Sequence, residues 1–305
     1  MKNKCFVLFF ALCILLSGCT NGDSKKISTI TFGGNHIVAL LNDRNIMIWG
    51  DNSKGQCELP QDTNNIIEVA AGLNHTLALK SSGEVIAWGD NSKGQCNIPS
   101  ELQNVKSIAA GTNHSVALKN DGTVVVWGDN EFGQSNVPEG LTKIVSISAG
   151  TGHTSALTEK GEVITWGYYA EEDFLPPEGI KPVKGIASFA NHIIAIQNDD
   201  TVIGWGRPEM GEIISKGELS DVIAITTGYG LSVALKKDGT VGVLGGNHYN
   251  LAEYAIQLED ITSIAAGYFI AGAVKKDGTL IIWGKDVDRF SNPEIEKLIL
   301  DEGSE

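Results

Sequence analysis

The sequence lacks the features that mark several large classes of protein. Its longest apolar run, Cys5 to Leu16, is too short to cross a bilayer, which takes about 20 residues in a helix. Lysine and arginine form no cluster, and the formal net charge of -14 is the opposite of what binding to DNA or RNA requires. No stretch shows the apolar period of a helix. With 42% hydrophobic residues, the chain is nevertheless expected to fold around a core, so we predict an all-β protein that does not bind nucleic acid.

Motifs for catalysis and metal binding are also missing. The chain contains no nucleophile elbow, P-loop or HExxH zinc motif. Asp51 to Gly55 is similar to the start of a Ca²⁺ loop but lacks the downstream glutamate, and the acidic run Glu171 to Asp173 is typical of a solvated loop. We expect no catalytic residue, no metal site and no cofactor, and therefore no enzymatic activity.

The N-terminus has the pattern of a cleaved and lipid-modified leader. A basic start precedes the apolar run, which leads into the tetrapeptide Leu16 to Cys19. This tetrapeptide resembles the bacterial lipobox, in which the cysteine is lipidated and becomes the first mature residue. We expect residues 1–18 to be a signal peptide, Cys19 to carry at least two acyl chains, and residues 19–26 to be a polar tether. The pattern predicts a bacterial lipoprotein on the extracytoplasmic side of the cell membrane, held there only by its lipid.

Glycine is abundant at 36 residues. It recurs at a fixed period of about 39 residues, the interval from Trp49 to Trp88, and a period of this length is typical of repeat architectures. Seven such periods run without insertion from Ile27 to Ile299. Trp-Gly marks five consecutive repeats and the seventh, and the sixth has Leu-Gly, at Trp49, Trp88, Trp127, Trp166, Trp205, Leu244 and Trp283. A second position holds alanine in every repeat, at Ala39, Ala78, Ala117, Ala156, Ala195, Ala234 and Ala273.

Each repeat predicts three or four short antiparallel strands that are apolar on both faces. Such a sheet must be covered on two sides by its neighbours, and the alanine position allows neighbouring sheets to approach. Units of ~40 residues with this content are typical of β-propellers. Because the first and last repeats are as apolar as the others, a closed ring fits better than an open solenoid. We predict a monomeric seven-bladed β-propeller over residues 27–300, closed with help from Ile295 to Leu300, and an acidic tail over 301–305.

Cysteine is scarce in the part of the chain that would fold. Once the leader and the lipidated residue are set aside, only Cys57 and Cys96 remain, and they occupy the same position of two neighbouring repeats. A disulfide needs Cα atoms within ~7 Å, and matching positions of neighbouring repeats usually lie further apart. We expect two free thiols, although the compartment permits a disulfide.

The stretch GTNHSVALKNDGTVVVWGDNEFGQ, from Gly111 to Gln134, resembles the repeat of the regulator of chromosome condensation family. The resemblance covers residues 27 to about 290 and implies a seven-bladed propeller. The short repeat is closer to the compact bacterial version, which is also seen in a secreted propeller that inhibits β-lactamases. The eukaryotic member is a nucleotide exchange factor for a nuclear GTPase, an activity that we do not carry over to a secreted lipoprotein.

Five histidines share one position of the repeat: His36, His75, His114, His153 and His192. Ligands of a metal must converge on one point, whereas residues repeated around a ring diverge. We therefore expect each histidine to be structural and hydrogen-bonded within its own blade.

One end of the ring is the better candidate for binding. The loop before the histidine position and the loop after Trp-Gly should emerge at the same end, and the hairpins at the other. Repeats one to three are nearly uniform at the first end, and from blade four onward the loops gain aromatic residues and arginine, which are typical of binding hot spots. The predicted binding face consists of Tyr168, Tyr169, Phe174, Arg207, Met210, Tyr229, His248, Tyr249, Tyr268 and Phe269, with Arg289 and Phe290 nearby.

Three functions remain open at this point. The first is a non-catalytic scaffold that binds a protein or a cell-wall component. The second is an inhibitor of a secreted enzyme, such as a β-lactamase, but this role favours aromatics before the histidine position in most blades, and only blades six and seven have them. The third is a lyase or hydrolase built on a propeller.

Overall fold

The computed structural model describes residues 25–167, 174–207, 219–245, 251–285 and 287–290, together with the backbone of residues 12–14. Its described part is almost entirely β-structure, with one short α-helix, α1 (Leu251–Ala255), and a 3-10 helix over Val287–Phe290. None of the described helices is long and apolar enough to cross a membrane.

The strands form seven antiparallel sheets, each built from three strands that follow one another in the chain. Blades 1 to 4 consist of β2 (Ile27–Phe32), β3 (His36–Leu41) and β4 (Ile46–Gly50); β5 (Ile66–Ala71), β6 (His75–Lys80) and β7 (Val85–Gly89); β8 (Val105–Ala110), β9 (His114–Lys119) and β10 (Val124–Gly128); β11 (Ile144–Ala149), β12 (His153–Thr158) and β13 (Val163–Gly167). Blades 5 to 7 consist of β14 (Val183–Phe189), β15 (His192–Gln197) and β16 (Val202–Gly206); β17 (Val222–Gly228), β18 (Leu231–Lys236) and β19 (Val241–Gly245); β20 (Ile261–Ala266), β21 (Ile270–Lys275) and β22 (Leu280–Gly284).

One further strand, β1 (Leu12–Ile14), precedes the first blade and pairs antiparallel with β22. It gives blade 7 a fourth strand. This strand lies within the predicted signal peptide, so cleavage before Cys19 would remove it and leave three described strands in every blade.

The middle strand of each blade is buried along almost its whole length because neighbouring blades cover both of its faces. In β3, for example, Ile37 and Val38 point to opposite faces and both are fully buried. The repeated alanine is 0% exposed in all seven blades, which confirms that this position lies where two sheets approach each other. The inner strand of every blade contains a register shift near its start, as between Val105 and Ser107, and such bulges increase the local twist.

The ring is closed by contacts between the first and last blades. Strand β2 packs against β20, and Thr29 Oγ1 lies 3.1 Å from Ser263 Oγ although the two residues are 234 positions apart. Ile27 and Phe32 of blade 1 share one apolar cluster with Ile270 of blade 7. The seven inner strands surround a central cavity of about 380 Å³. The segment Ile295 to Leu300 lies outside the described residues, so its predicted role in closure stays a prediction.

Candidate binding face

Two sets of loops define the two ends of the ring. Asp51, which follows β4, donates its backbone N–H to the carbonyl oxygen of Asn35, which precedes β3, over 2.8 Å. Blades 2 and 3 repeat this bond from Asp90 to Asn74 at 2.8 Å and from Asp129 to Asn113 at 2.9 Å. The prediction that these loops share one end is therefore confirmed. We call this end the upper face, and the end with the hairpins between the second and third strands the lower face.

The upper loops of blades 1 to 3 are closed by their own hydrogen bonds. Asp51 accepts hydrogen bonds from Ser53 and from Gln56 Nε2, and Gln56 Oε1 accepts one from the backbone N–H of Lys54 at 2.8 Å. The bonds from Ser53 contribute most to lowering the pKa of Asp51. The same pattern recurs around Asp90. These carboxylates are engaged in shaping the loops, and no cluster of metal-ligating side chains is found among the described residues.

The two remaining cysteines belong to the same loops and are free, as predicted. The thiol of Cys57 points to the carbonyl oxygen of Asp51 at 3.3 Å, and that of Cys96 to the carbonyl oxygen of Asp90 at the same distance. Burial raises the pKa of both thiols to about 11. They are therefore unreactive parts of the loop structure.

The repeated histidines hold neighbouring blades together. The Nε2 atom of His75 lies 3.1 Å from Ser115 Oγ in the next blade, and His36, His114 and His192 make the equivalent contacts with Thr76, Thr154 and Ser232 at 3.0 Å. These four histidines are hydrogen-bonded, but the prediction that each bond lies within its own blade is wrong. The hydroxyl groups lie one repeat further along the chain, and stacking of the blades brings them under the rings.

The contacts of His36, His75 and His114 each belong to a short chain of hydrogen bonds, which we call the histidine staple. Ser115 Oγ donates to the carbonyl oxygen of Gln95 at 2.8 Å, and Trp127 Nε1 donates to the same oxygen at 2.9 Å. Because the hydroxyl gives its proton to Gln95, it must accept from His75, which is then the neutral Nε2–H tautomer. Burial lowers the pKa of His75 and His153 to about 3 and that of His36 and His114 to about 4.

The staple cannot form at three junctions of the ring. Between blades 4 and 5, Ile193 replaces the hydroxyl that would face His153, and the last two junctions lack both partners. Leu231 and Ile270 replace the histidine in blades 6 and 7, and the facing hydroxyl is replaced by Ala271 in blade 7 and by Ile37 in blade 1. Four aromatic residues from blades 5, 6 and 7 gather on the upper face in this part of the ring: Phe189, Tyr229, Tyr268 and Phe269. We call this group, together with Lys285, the aromatic rim.

The rings of the aromatic rim are in direct contact. Tyr229 and Tyr268 are stacked, with centroids 5.3 Å apart and an angle of 9° between the planes. Phe189 meets Tyr268 edge to face at 5.6 Å, Phe269 meets Tyr229 in the same way at 5.1 Å, and Lys285 Nζ lies 5.7 Å from the Phe269 centroid. Phe189 is buried, whereas the other three rings are only half-buried. Burial also raises the pKa of Tyr268.

The backbone beneath the rim is strained. Phe269 has a φ of 55° and Ala190 a φ of 45°, in the left-handed region that bulky residues rarely adopt. The residue that matches Phe269 in blade 6 is Gly230, which has a φ of 70° without a steric penalty. Strain of this kind costs on the order of 1–3 kcal/mol and is found mainly at functional sites.

The structure brings together only part of the predicted binding face. Tyr229, Tyr268 and Phe269 form the rim, and Arg207 is exposed at the end of blade 5. Five predicted residues lie outside the described ranges: Tyr168, Tyr169, Met210, His248 and Tyr249. The sequence reasoning missed Phe189 and Lys285. Phe189 could have been found, because it is the one residue other than glycine at its position in the seven repeats.

Phe174 does not belong to the exposed face, and this prediction is wrong. Its side chain is 0% exposed and packs against the His153 ring, with centroids 5.6 Å apart. Its carbonyl oxygen accepts a hydrogen bond from Trp205 Nε1 at 3.0 Å, as the carbonyl oxygen of Gln134 does from Trp166. Phe174 thus takes the place of the buried glutamine of earlier blades. Phe290 is buried as well, against Phe32.

The lower face has a different composition. Its hairpin turns and strand ends carry most of the basic side chains that the structure describes: Lys25, Lys26, Arg44, Lys80, Lys106, Lys119, Lys143, Lys160, Lys181, Lys184, Lys236, Lys237, Lys275 and Lys276. The basic side chains described elsewhere are Lys54, Lys93, Arg207 and Lys285. Many of the lower lysines are paired with acids, as Lys80 is with Asp62 at 2.8 Å.

Seven consecutive three-stranded sheets around one channel define a seven-bladed β-propeller. Residues 27–56, 66–95 and 105–134 match the sequence profile of the Regulator of chromosome condensation (RCC1) repeat. Three of the seven repeats are therefore of the RCC1 type, as the sequence resemblance implied. No curated protein matches the chain significantly by sequence.

Solved structures of RCC1-like and related propellers share the fold. The CRINKLY WD40 ectodomain of the Arabidopsis thaliana receptor kinase ACR4 is 20% identical, with a TM-score of 0.66 over 86% of this chain and 96% of that one. Human WBSCR16 is 15% identical, with a TM-score of 0.65 over 90% and 94% of the two chains. Prp20p from Saccharomyces cerevisiae is 18% identical, with a TM-score of 0.63 over 90% and 85%. At these identities the likeness concerns the fold alone.

Proposed function

We propose that this chain is a lipid-anchored scaffold of the bacterial cell surface that binds a protein or cell-wall partner through the aromatic rim and catalyses no reaction. The observation that carries the proposal is the group of three half-exposed rings on one side of the upper face, with a strained Phe269 among them. Aromatic side chains dominate binding hot spots, and a solvent-facing cluster of them costs solubility unless a partner covers it. Prp20p, whose fold is similar, is described as binding Gsp1p and histones.

The aromatic rim also contributes to the stability of the propeller, and the experiment must separate this contribution from binding. The tyrosines bridge blades 6 and 7 where the histidine staple is missing, and the backbone N–H of Tyr229 donates to the carbonyl oxygen of Gly267 at 3.0 Å. Removing both rings will therefore reduce stability to some degree. A variant that removes a ring and relieves strain at the same time is the sharper probe, and Phe269→Gly does this because Gly230 occupies the matching position of blade 6.

The double change Tyr229→Ala with Tyr268→Ala should weaken partner binding at least thirtyfold, since truncation of a hot spot costs about 2 kcal/mol or more. Phe269→Gly should weaken binding too, while the free energy of unfolding stays within about 1 kcal/mol of wild type because the lost contacts are offset by relief of strain. Binding is measured by capture of solubilised cell-envelope components on the immobilised variants, followed by titration of the captured component.

The matched control lies on the opposite end of the same ring. Changing Ser81 and Ser82, or Asn120 and Asp121, in the lower hairpins should leave binding unchanged. Equal binding by the rim variants and the lower-face variants would contradict the proposal, as would a loss that appears only with the hairpin changes.

The lipid anchor has a separate test. Cys19→Ala should release the protein from the membrane fraction, because the two acyl chains that hold it would no longer be attached. Cys96→Ser is the control, since Ser135 occupies the same position in blade 3, where its hydroxyl donates to the carbonyl oxygen of Asp129 at 2.8 Å. Fractionation followed by immunoblotting measures the distribution, and retention of the Cys19→Ala protein in membranes would rule out the anchor.

A further inference from the structure

The chain enters the ring at the centre of the lower face. Lys26 accepts a hydrogen bond from the backbone N–H of Asn42 at 2.9 Å, and its own N–H donates to Asn42 Oδ1 at 3.0 Å, so it lies beside the first lower hairpin. It also lies against Gly278 in the hairpin of blade 7, where an added Cβ would come within 2.9 Å of Lys26 Cβ. The next residue, Ile27, starts β2, which is the innermost strand of blade 1.

We propose that the lower face is held against the lipid bilayer and that the aromatic rim points away from it. This inference rests on the lipidation of Cys19 proposed above. From Cys19 to Ile27 the chain advances eight residues, which span at most about 28 Å when fully extended.

The length of this tether favours one of the two orientations. To place the upper face on the membrane, the tether would first have to cross the blade from its inner to its outer strand, a distance of about 10 Å at ~4.8 Å per strand. It would then have to run up the height of the outer strand β4, which has five residues, about 17 Å. This path of about 27 Å would use almost the whole length of a fully extended tether, whereas the lower face needs no detour.

The composition of the lower face is compatible with this placement. Around the lower mouth of the channel, the second residue of each inner strand is exposed: Ile67, Val145 and Ile223 at 45%, 49% and 52%, alternating with Lys106 and Lys184. The two remaining blades have hydroxyl residues there, so this ring of side chains contains no acid. The chain as a whole has a net charge of -14, whereas on this face the described lysines are balanced by the acids of the hairpins, such as Asp43, Asp121 and Asp238. The lower face can therefore approach anionic headgroups with less repulsion than the total charge implies.

The experiment compares two fluorescent labels in the same blade. In a Cys57→Ser/Cys96→Ser background, Ser82→Cys places a thiol in the lower hairpin of blade 2 and Ser92→Cys places one in its upper loop; both positions are exposed. The lipidated protein is reconstituted into phosphatidylcholine vesicles containing phosphatidylglycerol and an acceptor dye on the lipid headgroup. Because the labels differ in height by about 20 Å or more, energy transfer to the bilayer should be at least about twofold more efficient from Ser82→Cys.

The outcomes separate this inference from the anchor itself. If the protein binds vesicles but both labels transfer equally, or Ser92→Cys transfers more, the orientation is wrong and the anchor stands. If the lipidated protein binds vesicles no better than the Cys19→Ala variant, the anchor fails and the orientation falls with it. Higher transfer from the lower label, lost in the Cys19→Ala background, supports both.

Discussion

The free energy of unfolding should fall by several kcal/mol between pH 6.5 and pH 4, because the buried histidines stay neutral in the folded ring. Their pKa values in the folded chain are about 3 for His75 and His153 and about 4 for His36 and His114, against about 6.5 in an unfolded chain. Below pH 6.5 the unfolded state therefore binds more protons than the folded state. The stabilising effect is complete above pH 6.5 and is lost progressively as the pH falls towards the folded-state pKa values.

One carboxyl group acts in the opposite direction. Glu68 faces the central channel and accepts a hydrogen bond from Ser107 Oγ at 2.9 Å, and burial raises its pKa to about 7. Between about pH 4.5 and 7 the folded state holds a proton here that the unfolded state has released, so this group favours folding as the pH falls. With four histidines and one glutamate, the unfolded state binds about three protons more than the folded state. The free energy of unfolding therefore changes by on the order of 4 kcal/mol per pH unit at the steepest point.

Urea unfolding followed by tryptophan fluorescence at pH 7.5, 6 and 5 measures this slope. The chain supplies its own control, since Leu231 and Ala271 replace the histidine and the hydroxyl between blades 6 and 7. The double variant His75→Leu/Ser115→Ala copies that apolar pair into the junction of blades 2 and 3. In this variant, the number of protons bound on unfolding should fall by about one, and the slope of the free energy of unfolding against pH should fall accordingly. The free energy of unfolding at pH 7.5 should change by less than about 2 kcal/mol. A slope that is equal in the variant and the wild type would show that the histidines do not account for it.

Gly72→Ala should destabilise the ring by about 3 kcal/mol or more and lower its Tm by roughly 6–12 °C. A Cβ at this position would lie 2.2 Å from His75 Cε1 and 2.5 Å from the carbonyl oxygen of Gly111 in the next blade. The imidazole ring of His75 could move only by breaking its hydrogen bond to Ser115. The carbonyl oxygen of Gly111 belongs to backbone that is fixed by the next blade, so the clash cannot be relieved locally.

Gly185→Ala is the matched control, because Gly185 lies in the inner strand β14, as Gly72 directly follows the inner strand β5, and the nearest atom to an added Cβ, Ile196 Cδ1, is 3.4 Å away. Alanine already occupies this position in blade 6, as Ala224. Differential scanning calorimetry of the two variants compares the same chemical change with and without the clash. Similar transition temperatures would mean that the glycine position is not set by the packing of the histidine.

The repeat period was sufficient to predict the number of blades, the strands and the alanine contacts, since these depend on features that recur in every repeat. It was not sufficient to identify the partner of the histidines. His75 and Ser115 lie in different repeats, and their contact depends on which face of each sheet packs on the next, a choice that alternation of side chains leaves open.

The binding face was harder to predict because it lies where the repeat becomes irregular. Phe174 looked like a loop aromatic, but the shift of one residue ahead of blade 5 turns it into the core residue that receives Trp205. Phe189 is the opposite case, because it lies at a repeated strand position and yet belongs to the aromatic rim. It occupies a position where the other six repeats have glycine, and the chain turns directly after it at Ala190, which has a φ of 45°. In both cases the local backbone geometry, rather than the residue type, determines where the side chain lies.

Among the described residues between 27 and 284, no strand is exchanged between blades, so one structural unit corresponds to one continuous stretch of coding sequence. In-frame gain or loss of the codons for one repeat would add or remove a whole blade without cutting a sheet. The octapeptide GDNSKGQC at residues 50–57 and 89–96 offers matching sequence at which unequal recombination could take place. The first two blades are therefore the part of the gene in which copy number is expected to vary between strains. The strained and irregular blades that carry the aromatic rim have no such matching sequence and should be inherited as a block.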